Sequence, residues 1–177
     1  MKKIITFAGS NSSTSINKQL AVYTADLLEN VEVVILDLND FELPLYGIDH
    51  EKQHGIPENA QTFLNHIKES DGIVLSLAEH NGTYSTVFKN VFDWMSRIDG
   101  KLWSDKPMLL MATSSGGRGG ATVLDIAKGR FPYMGGTIVA TFSLPNFSDN
   151  FSESGIKDQA LQAGLNEAVA TLQQAIK

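Results

Sequence analysis

The apolar residues of this chain fall into two alternating kinds of segment. Short runs rich in Val, Ile and Leu occupy residues 2–8, 31–37, 71–77, 107–113 and 136–142, and longer stretches with apolar residues at helical spacing separate them. This alternation predicts βαβ units and a parallel sheet. Because the runs are apolar almost throughout, we expect helices to cover both faces of the sheet in a three-layer α/β sandwich.

The stretches between these strands show apolar stripes with a period of about 3.6 residues. The pair Pro57-Glu58 signals the start of one helix, and residues 120–131 predict another with a weaker stripe. The expected core-facing positions are Ile16, Leu20, Tyr23, Leu27, Leu28, Ala60, Phe63, Leu64, Ile67, Phe88, Val91, Phe92, Met95, Ile98, Leu161, Leu165, Ala168, Val169, Leu172 and Ile176.

Two longer segments, residues 38–57 and 143–154, carry no clear period, so we predict irregular loops there. Loops of this length inside an α/β domain are often functional. His66 falls on the polar face of its predicted helix, which indicates a solvated side chain. No repeat, low-complexity tract or linker divides the chain, so we predict that residues 1–177 form a single domain.

Composition excludes several kinds of chemistry. The chain has no cysteine, which rules out disulfides, thiolate zinc sites, iron–sulfur clusters and cysteine nucleophiles, and which is typical of the reducing cytoplasm. The net charge of −6 and the scattered Lys and Arg residues argue against nucleic-acid binding. The apolar runs are too short to cross a membrane, and we interpret the first as a strand rather than a secretory leader.

The loops after the first, third and fourth strands are the candidate binding site. In an open parallel sheet, ligands bind outside the carboxyl ends of the strands, where the strand order reverses. Residues 9–17 (Gly-Ser-Asn-Ser-Ser-Thr-Ser-Ile-Asn) place five hydroxyl groups directly before a helix. Hydroxyls and the N–H groups of a helix start suit a phosphate dianion, although a polar turn with a Ser or Thr cap would have the same composition.

The other two loops are rich in turn residues. Residues 79–85 contain the tight-turn pair Asn81-Gly82, and residues 114–120 carry four glycines, which let a backbone approach a ligand closely. The glycine loop does not meet the dinucleotide-binding template, because Thr122 stands where the last glycine belongs. Each loop alone is also compatible with a simple turn or a flexible solvent loop.

One further motif matches the His-Glu-x-x-His pattern of zinc proteases. It is formed by residues 50–54 (His-Glu-Lys-Gln-His), but that chemistry needs a sustained buried helix and a third ligand. The segment is polar and lies between Gly47 and Gly55, within the predicted loop. We therefore interpret the match as chance and predict no metal site.

Taken together, the loops resemble the NAD(P)H-dependent FMN reductase family of flavodoxin-like quinone, azo-dye and chromate reductases. The family's Gly-Ser-x-Arg-x-x-Ser-x-Asn corresponds to residues 9–17, and its Pro-Glu-Tyr-Asn-Gly-Ser to residues 78–83 (Ala-Glu-His-Asn-Gly-Thr). Its Leu-Lys-Asn-Ala-x-Asp-Trp corresponds to residues 88–94 (Phe-Lys-Asn-Val-Phe-Asp-Trp), and its Ser-x-Gly-Gly-x-Gly-Gly to residues 114–120. The match in order and strand context extends from residue 3 to about residue 143.

The resemblance implies a flavodoxin-like sheet of five parallel strands in the order 2-1-3-4-5, bound FMN, NAD(P)H as co-substrate, and a dimer or tetramer that shares the flavin site. The implied FMN contacts are Ser10, Ser12, Ser15, Ile16 and Asn17 for the phosphate, Glu79, His80, Asn81 and Gly82 for the ribityl chain and ring, and Ser115, Gly116 and Gly117 for the pyrimidine end. Ser12 replaces the family's Arg, and Ala78 and His80 replace its Pro and Tyr, so we expect looser FMN binding.

We predict a cytoplasmic reductase in which NAD(P)H reduces FMN and leaves before a quinone or similar small acceptor takes its place. The flavin supplies the electron sink, so no side chain is assigned a catalytic role. Two alternatives remain open. One is a flavodoxin-type electron carrier that binds FMN without oxidising NAD(P)H itself, and the other is a family descendant that has lost flavin and serves as an interaction module.

Overall fold

Five parallel strands form the centre of the molecule, which a computed structural model describes over all of residues 1–177. The strands are β1 (Lys2–Gly9), β2 (Val31–Ile35), β3 (Gly72–Leu77), β4 (Pro107–Thr113) and β5 (Thr137–Leu144). Their order across the sheet is β2-β1-β3-β4-β5, and every neighbouring pair is parallel. The predicted order 2-1-3-4-5 is therefore confirmed.

Helices cover both faces of this sheet. In chain order they are α1 (Ile16–Asp26), α2 (Ile48–His54), α3 (Glu58–Glu69), α4 (Thr86–Ile98), α5 (Ala121–Arg130), α6 (Phe147–Asn150) and α7 (Gln159–Ala175). Successive strand residues point to opposite faces, so Ile5 joins a core with α3, α4 and α5, whereas its neighbour Ile4 joins a second core with α1 and α7. The three-layer α/β sandwich is thus confirmed.

The predicted stripes of α3, α4 and α7 form most of these cores, but that of α1 is partly wrong. The buried face of α1 consists of Leu20, Ala21, Thr24 and Ala25, whereas Tyr23 is only half-buried. Tyr23 instead packs edge-on against Phe151. Small side chains let α1 lie close to the sheet, and a stripe of large apolar residues does not reveal such a face.

Helices cover both faces of the sheet as expected, but the two outer strands are less buried than their apolar runs predict. Ile35 of β2 is 51% exposed, and Thr137 and Thr141 of β5 are exposed. Each of these strands has a neighbour on one side only. An apolar run therefore predicted a parallel strand correctly but did not show that the strand lies at the edge of the sheet.

The segments predicted as irregular contain short regular elements. Residues 38–57 include a 3-10 turn (Leu38–Asp40) and α2, and residues 143–154 include α6 and part of a hairpin over residues 151–156. Contacts with α4 hold the first segment, because the Nε1 of Trp94 donates to the Pro44 carbonyl at 2.8 Å and Arg97 pairs with Glu51 at 2.9 Å. Such long-range contacts leave no periodic pattern in the local sequence.

The prediction of a solvated His66 is also wrong. Its ring is half-buried and meets the Phe41 ring edge-on, with centroids 5.9 Å apart. Its Nδ1 is buried without a hydrogen-bond partner. The folding of residues 38–41 back over α3 creates this environment, and the α3 sequence alone does not contain that information.

The carboxyl ends of β1, β3 and β4 lie side by side at one edge of the sheet. Gly9 is in register with Leu77, and Leu77 is in register with Ala112. The strand order reverses between β1 and β3, which is where an open α/β sheet binds its ligand. The three loops singled out from the sequence therefore meet at this edge.

Candidate functional site

The start of α1 presents two unpaired backbone donors. Ser15 caps this helix, since its Oγ accepts from the Lys18 N–H at 3.1 Å. The N–H groups of Ile16 and Asn17 donate to no protein group. Two free N–H groups at the positive end of the helix dipole have the geometry and charge that suit an anion.

Hydroxyl groups of the loop before α1 organise its backbone. The Oγ of Ser10 accepts from the Ser12 N–H at 3.2 Å, and the Oγ of Ser12 accepts from the Thr14 N–H at 3.3 Å. Ser12 and Thr14 are exposed and Ser10 is half-buried. The Ser12 and Thr14 hydroxyls lie 3.4 Å apart and share a hydrogen bond. One of these two hydroxyls, together with that of Ser10, can therefore turn its hydrogen toward a ligand beside the helix start.

The Asn17 side chain is used within the protein. It is 3% exposed, and its Nδ2 donates to the Thr113 carbonyl at 3.1 Å. Its Oδ1 accepts from the Thr113 N–H at 3.0 Å and from the Ser76 Oγ at 2.7 Å. Asn17 thus joins the start of α1 to the ends of β3 and β4, and only its backbone N–H remains for a ligand.

The loop after β3 is a two-residue hairpin over residues 79–84. Glu79 pairs with Tyr84 and His80 with Thr83, while Asn81 and Gly82 have φ angles of 51° and 76°. Positive φ at both central residues is typical of a type I′ turn. The tight turn predicted from Asn81-Gly82 is therefore confirmed.

Glu79 connects this hairpin to α5. One of its carboxylate oxygens accepts a 3.0 Å hydrogen bond from the Val123 N–H in the first turn of α5. The cap residue of α5, Gly120, has no side chain for this purpose. The negative charge also opposes the positive end of the α5 dipole, so Glu79 fixes the hairpin against the glycine loop.

The glycines after β4 divide into two functional pairs. Gly119 and Gly120 have φ angles of 56° and 76°, and a Cβ on Gly120 would lie 2.6 Å from the Cβ of Ala112, so the fold requires glycine there. A Cβ on Gly116 would meet nothing within 4 Å, and one on Gly117 would meet only the Asn146 side chain, at 3.8 Å. The fold therefore does not require glycine at Gly116 or Gly117.

The loop after β5 braces the glycine loop from behind. The Asn146 N–H donates to the Gly116 carbonyl and the Phe147 N–H to the Ser114 carbonyl, both at 3.0 Å. The Ser143 hydroxyl donates to the Gly119 carbonyl at 2.9 Å. These bonds hold a loop that would otherwise have few contacts of its own.

A cavity of about 320 Å³ lies where the three loops meet. Its lining includes most of the predicted site residues: Ser10, Ser12, Ser15, Ile16, Asn17, Glu79, His80 and Ser115. Asn81, Gly82, Gly116 and Gly117 lie in the adjoining turns, outside the lining. A wider groove of about 430 Å³ lies on the outer side of α1, but no residue of the loops after β3 and β4 lines it. We therefore assign the candidate site to the 320 Å³ cavity.

Four lining residues were missed in the sequence: Thr14, Ala78, Thr113 and Ser114. Thr14, Ala78 and Ser114 are adjacent in sequence to predicted site residues, and Thr113 is the last residue of β4. Their position at the carboxyl ends of the strands could have identified them as lining residues. The motif match alone did not identify them.

The nearest lysine to the helix start does not supply a free positive charge. Lys18 forms an ion pair with Asp37, which also accepts from the Asn39 N–H at 2.9 Å. The hydrogen bond from Lys18 lowers the pKa of Asp37. Asn39 in turn donates to the Asn11 carbonyl at 3.2 Å, so this network shapes the first loop, and anion attraction at the site comes from backbone and hydroxyl donors.

The fold and site together define a flavodoxin-like α/β protein with a mononucleotide-type cleft at its strand-order switch point. The chain belongs to the NADPH-dependent FMN reductase family, whose sequence model matches residues 2–149. The predicted resemblance is confirmed, and membership implies FMN as the cofactor and NAD(P)H as the electron donor. No helix of the structure has the length and apolar character needed to cross a membrane.

Individual relatives agree with this assignment. A 2-hydroxy-1,4-benzoquinone reductase from Burkholderia sp is 34% identical over 134 residues, which cover 75% of this chain and 71% of that protein. A quinone reductase from Escherichia coli (strain K12) is 28% identical over 123 residues, 67% of this chain and 63% of that protein. The chain thus spans less than two thirds of the length of the Escherichia coli relative.

Solved structures share the fold. A flavoenzyme NAD(P)H:(acceptor) oxidoreductase from Paracoccus denitrificans superposes with a TM-score of 0.78 at 24% identity, covering 99% of this chain and 97% of that one. An azoreductase from Bacillus anthracis str. Sterne gives a TM-score of 0.69 at 21% identity, covering 98% and 100%. At these identities the likeness shows the fold alone.

Proposed function

We propose that this protein is a cytoplasmic reductase, formed by one domain of residues 1–177, that uses FMN to pass electrons from NAD(P)H to a quinone or similar small acceptor. The observation that carries the proposal is the pair of unpaired N–H groups of Ile16 and Asn17 at the cavity. The quinone reductases among the relatives support the class of acceptor, and the absence of cysteine supports the compartment.

The first loop fits the FMN phosphate. The N–H groups of Ile16 and Asn17 would donate to it, and the hydroxyls of Ser10, Ser12 and Ser15 lie beside them on the cavity wall. A hydrogen bond to a charged group contributes about 1.5–3 kcal/mol net, so several donors replace the charge that the family's Arg would supply. The dipole of α1 adds to this attraction.

The other two loops fit the rest of the cofactor. Glu79, His80, Asn81 and Gly82 form a hairpin that would border the ribityl chain and the ring. The amides of Ser115, Gly116 and Gly117 would face the pyrimidine end, where negative charge gathers on reduction. Glu79 accepts a hydrogen bond from α5, and the loop after β5 donates one to the Gly116 carbonyl, so both loops are held in place before any ligand arrives.

Bound FMN would supply the electron sink for hydride chemistry, so the chain needs no acid or base of its own. Its residues would bind and orient the cofactor. We propose that NAD(P)H and the acceptor use the same exposed face of the flavin in turn, in a ping-pong order. Parallel double-reciprocal plots would support this order, and intersecting plots would contradict it.

We further propose that the protein is a homodimer, or a pair of such dimers. Leu45, Ile48 and Ile56 are 75%, 48% and 40% exposed, and all three belong to the segment that packs beside α4. Apolar side chains exposed together mark protein interfaces. Light scattering should show a dimer for the wild-type protein and a monomer for Leu45→Asp if this segment forms the interface.

The central experiment follows one sample through three additions. FMN added to the purified protein should lose its fluorescence in a saturable way, NADPH should then bleach the flavin absorbance, and a benzoquinone should restore it. A flavodoxin-type carrier would bind FMN and be bleached by dithionite but not by NADPH. A protein that has lost flavin binding would show no saturable quenching.

A further inference from the structure

The two histidines of α2 stand together on one side of a helix. His50 and His54 are one helical turn apart, and their ring centroids are 4.6 Å apart with a 44° angle between the rings. The expectation that this segment is a loop is wrong, because α2 spans Ile48–His54. α2 is nevertheless only seven residues long and has no buried residue, so it does not provide the sustained buried helix that the zinc-protease interpretation needs.

Glu51 cannot act as the general base of a zinc protease here. Its carboxylate accepts from the Arg97 Nε at 2.9 Å and from the Tyr46 hydroxyl at 3.1 Å, and the hydrogen bond from Arg97 lowers the pKa of Glu51. No third histidine or carboxylate joins the pair. What Glu51 does instead is anchor α2 to α4, which fixes the position of both histidines.

The separation of the rings suits a shared metal ion. Imidazole nitrogens bind zinc at about 2.0–2.1 Å, so two rings on one metal have centroids roughly 4.5–5 Å apart. The observed 4.6 Å falls in this range. His54 is exposed and His50 half-exposed, so water can complete the coordination sphere.

We propose that His50 and His54 form a surface site that binds a divalent transition metal reversibly through two imidazoles and solvent. Imidazole ligands suit Cu²⁺, Ni²⁺ and Zn²⁺, and affinity among the first-row divalent ions is highest for Cu²⁺. Hard ions such as Mg²⁺ prefer oxygen ligands and are excluded from this site. The site is separate from the FMN cleft and does not depend on the proposed redox chemistry. It shares its segment with the proposed dimer interface around Leu45, Ile48 and Ile56, so it requires that this interface leave both rings open to water.

Trp94 provides a local probe for this site. Its ring lies 6.0 Å from that of His50, centroid to centroid, whereas the only other tryptophan, Trp103, packs around Phe131 in the larger core. A Cu²⁺ ion quenches a nearby indole. Binding at the histidine pair should therefore quench Trp94 specifically.

The test is a titration of the full-length, untagged, FMN-saturated protein with Cu²⁺ while tryptophan fluorescence is recorded. We expect saturable quenching at one equivalent, reversal by EDTA, competition by Zn²⁺ and none by Mg²⁺. His54→Ala should weaken binding at least about tenfold, because even residues that merely support metal ligands change affinity 10–100-fold. Gln53→Ala, an exposed change on the same helix, should titrate like the wild type.

Calorimetry measures metal binding at the histidine pair independently of tryptophan fluorescence. The wild type should give the heat of one equivalent of Cu²⁺ and His54→Ala should lose most of it, which tests binding without relying on Trp94. Circular dichroism of His54→Ala should match the wild type because the side chain is exposed. If His54→Ala and the wild type give superimposable Cu²⁺ titrations, or if quenching never saturates, the proposal is wrong.

Discussion

The side chain of Asn17 and the backbone of Thr113 are joined by two hydrogen bonds, one from Nδ2 to the carbonyl at 3.1 Å and one from the N–H to Oδ1 at 3.0 Å. These residues are 96 positions apart in the chain. Their contact connects the helix start that would bind the phosphate with the strand that leads into the glycine loop. The geometry of the cleft therefore depends on one buried amide.

Asn17→Ala is the first prediction. The substitution leaves the Thr113 amide and the Ser76 hydroxyl buried without partners, and each such group costs about 1–3 kcal/mol. We expect the free energy of unfolding to fall by about 2–4 kcal/mol in urea titrations. Asn17→Asp should be similarly harmful, since it removes the Nδ2 donor. If Asn17→Ala unfolds at the same urea concentration as the wild type, the hydrogen bonds of the Asn17 side chain do not stabilise the fold.

Ser12→Arg is expected to tighten FMN binding. The new guanidinium would face the phosphate, where the family carries an Arg, and would add a charge-assisted hydrogen bond. Since the position is exposed, we expect about a tenfold lower Kd, equivalent to about 1.4 kcal/mol. Ser12→Gln, which is long but neutral, is the matched control. Equal gains in both variants would show that charge is not the cause.

Two glycine substitutions should have opposite consequences. Gly120→Ala forces a side chain into a left-handed φ and against Ala112, so we expect it to lower the free energy of unfolding by at least about 2 kcal/mol. Gly116→Ala has room for its Cβ and should change stability by less than about 0.5 kcal/mol. It should nevertheless weaken FMN binding, because the Cβ separates the backbone from the ring. Urea unfolding and flavin titration of both variants provide the measurement.

Acid should remove the contribution of Asp37. The hydrogen bond from Lys18 holds the pKa of Asp37 below its ordinary value of 3.8, so the folded state favours the carboxylate. The resulting stabilisation is present at neutral pH and disappears as the pH falls below that value through the lowered pKa. We expect Asp37→Asn to cost about 0.5–1 kcal/mol at neutral pH and nothing in strong acid.

The control for that experiment is Asp40→Asn, because Asp40 is exposed and forms no ion pair. Its free energy of unfolding should match the wild type at every pH. A difference between wild type and Asp37→Asn that persists unchanged in strong acid would show that the carboxylate charge is not involved.

Tyr84→Phe should stabilise the protein. The Tyr84 hydroxyl is buried without a hydrogen-bond partner, and burial raises the pKa of Tyr84 to about 12. Removing an unpaired buried hydroxyl recovers its desolvation cost, so we expect a gain of about 1 kcal/mol in unfolding free energy. Tyr23→Phe is the contrast, because that hydroxyl donates to Gln162 at 2.8 Å and its loss should destabilise. A loss of stability in Tyr84→Phe would reveal a partner for the hydroxyl.

The sequence by itself determined the order of the five strands and of the five larger helices, the sheet edge that carries the candidate site and the three loops that meet there. The period of the apolar residues indicates which side chains are buried, and the residue types within a motif indicate which turns can form. Both features can therefore be predicted from the sequence alone. The type I′ turn at Asn81-Gly82 and the stripes of α3, α4 and α7 belong to this class.

Only the tertiary structure decided how individual side chains are used. The Asn17 side chain bonds within the protein and leaves only its backbone N–H for a ligand. Glu79 caps α5, and two of the four loop glycines are required by their positive φ and by packing. The same holds for α2, which forms because Arg97 and Trp94 of α4 hold its segment. Each of these outcomes depends on a contact with a residue far away in the chain. The pattern of neighbouring residues in the sequence does not indicate such a contact.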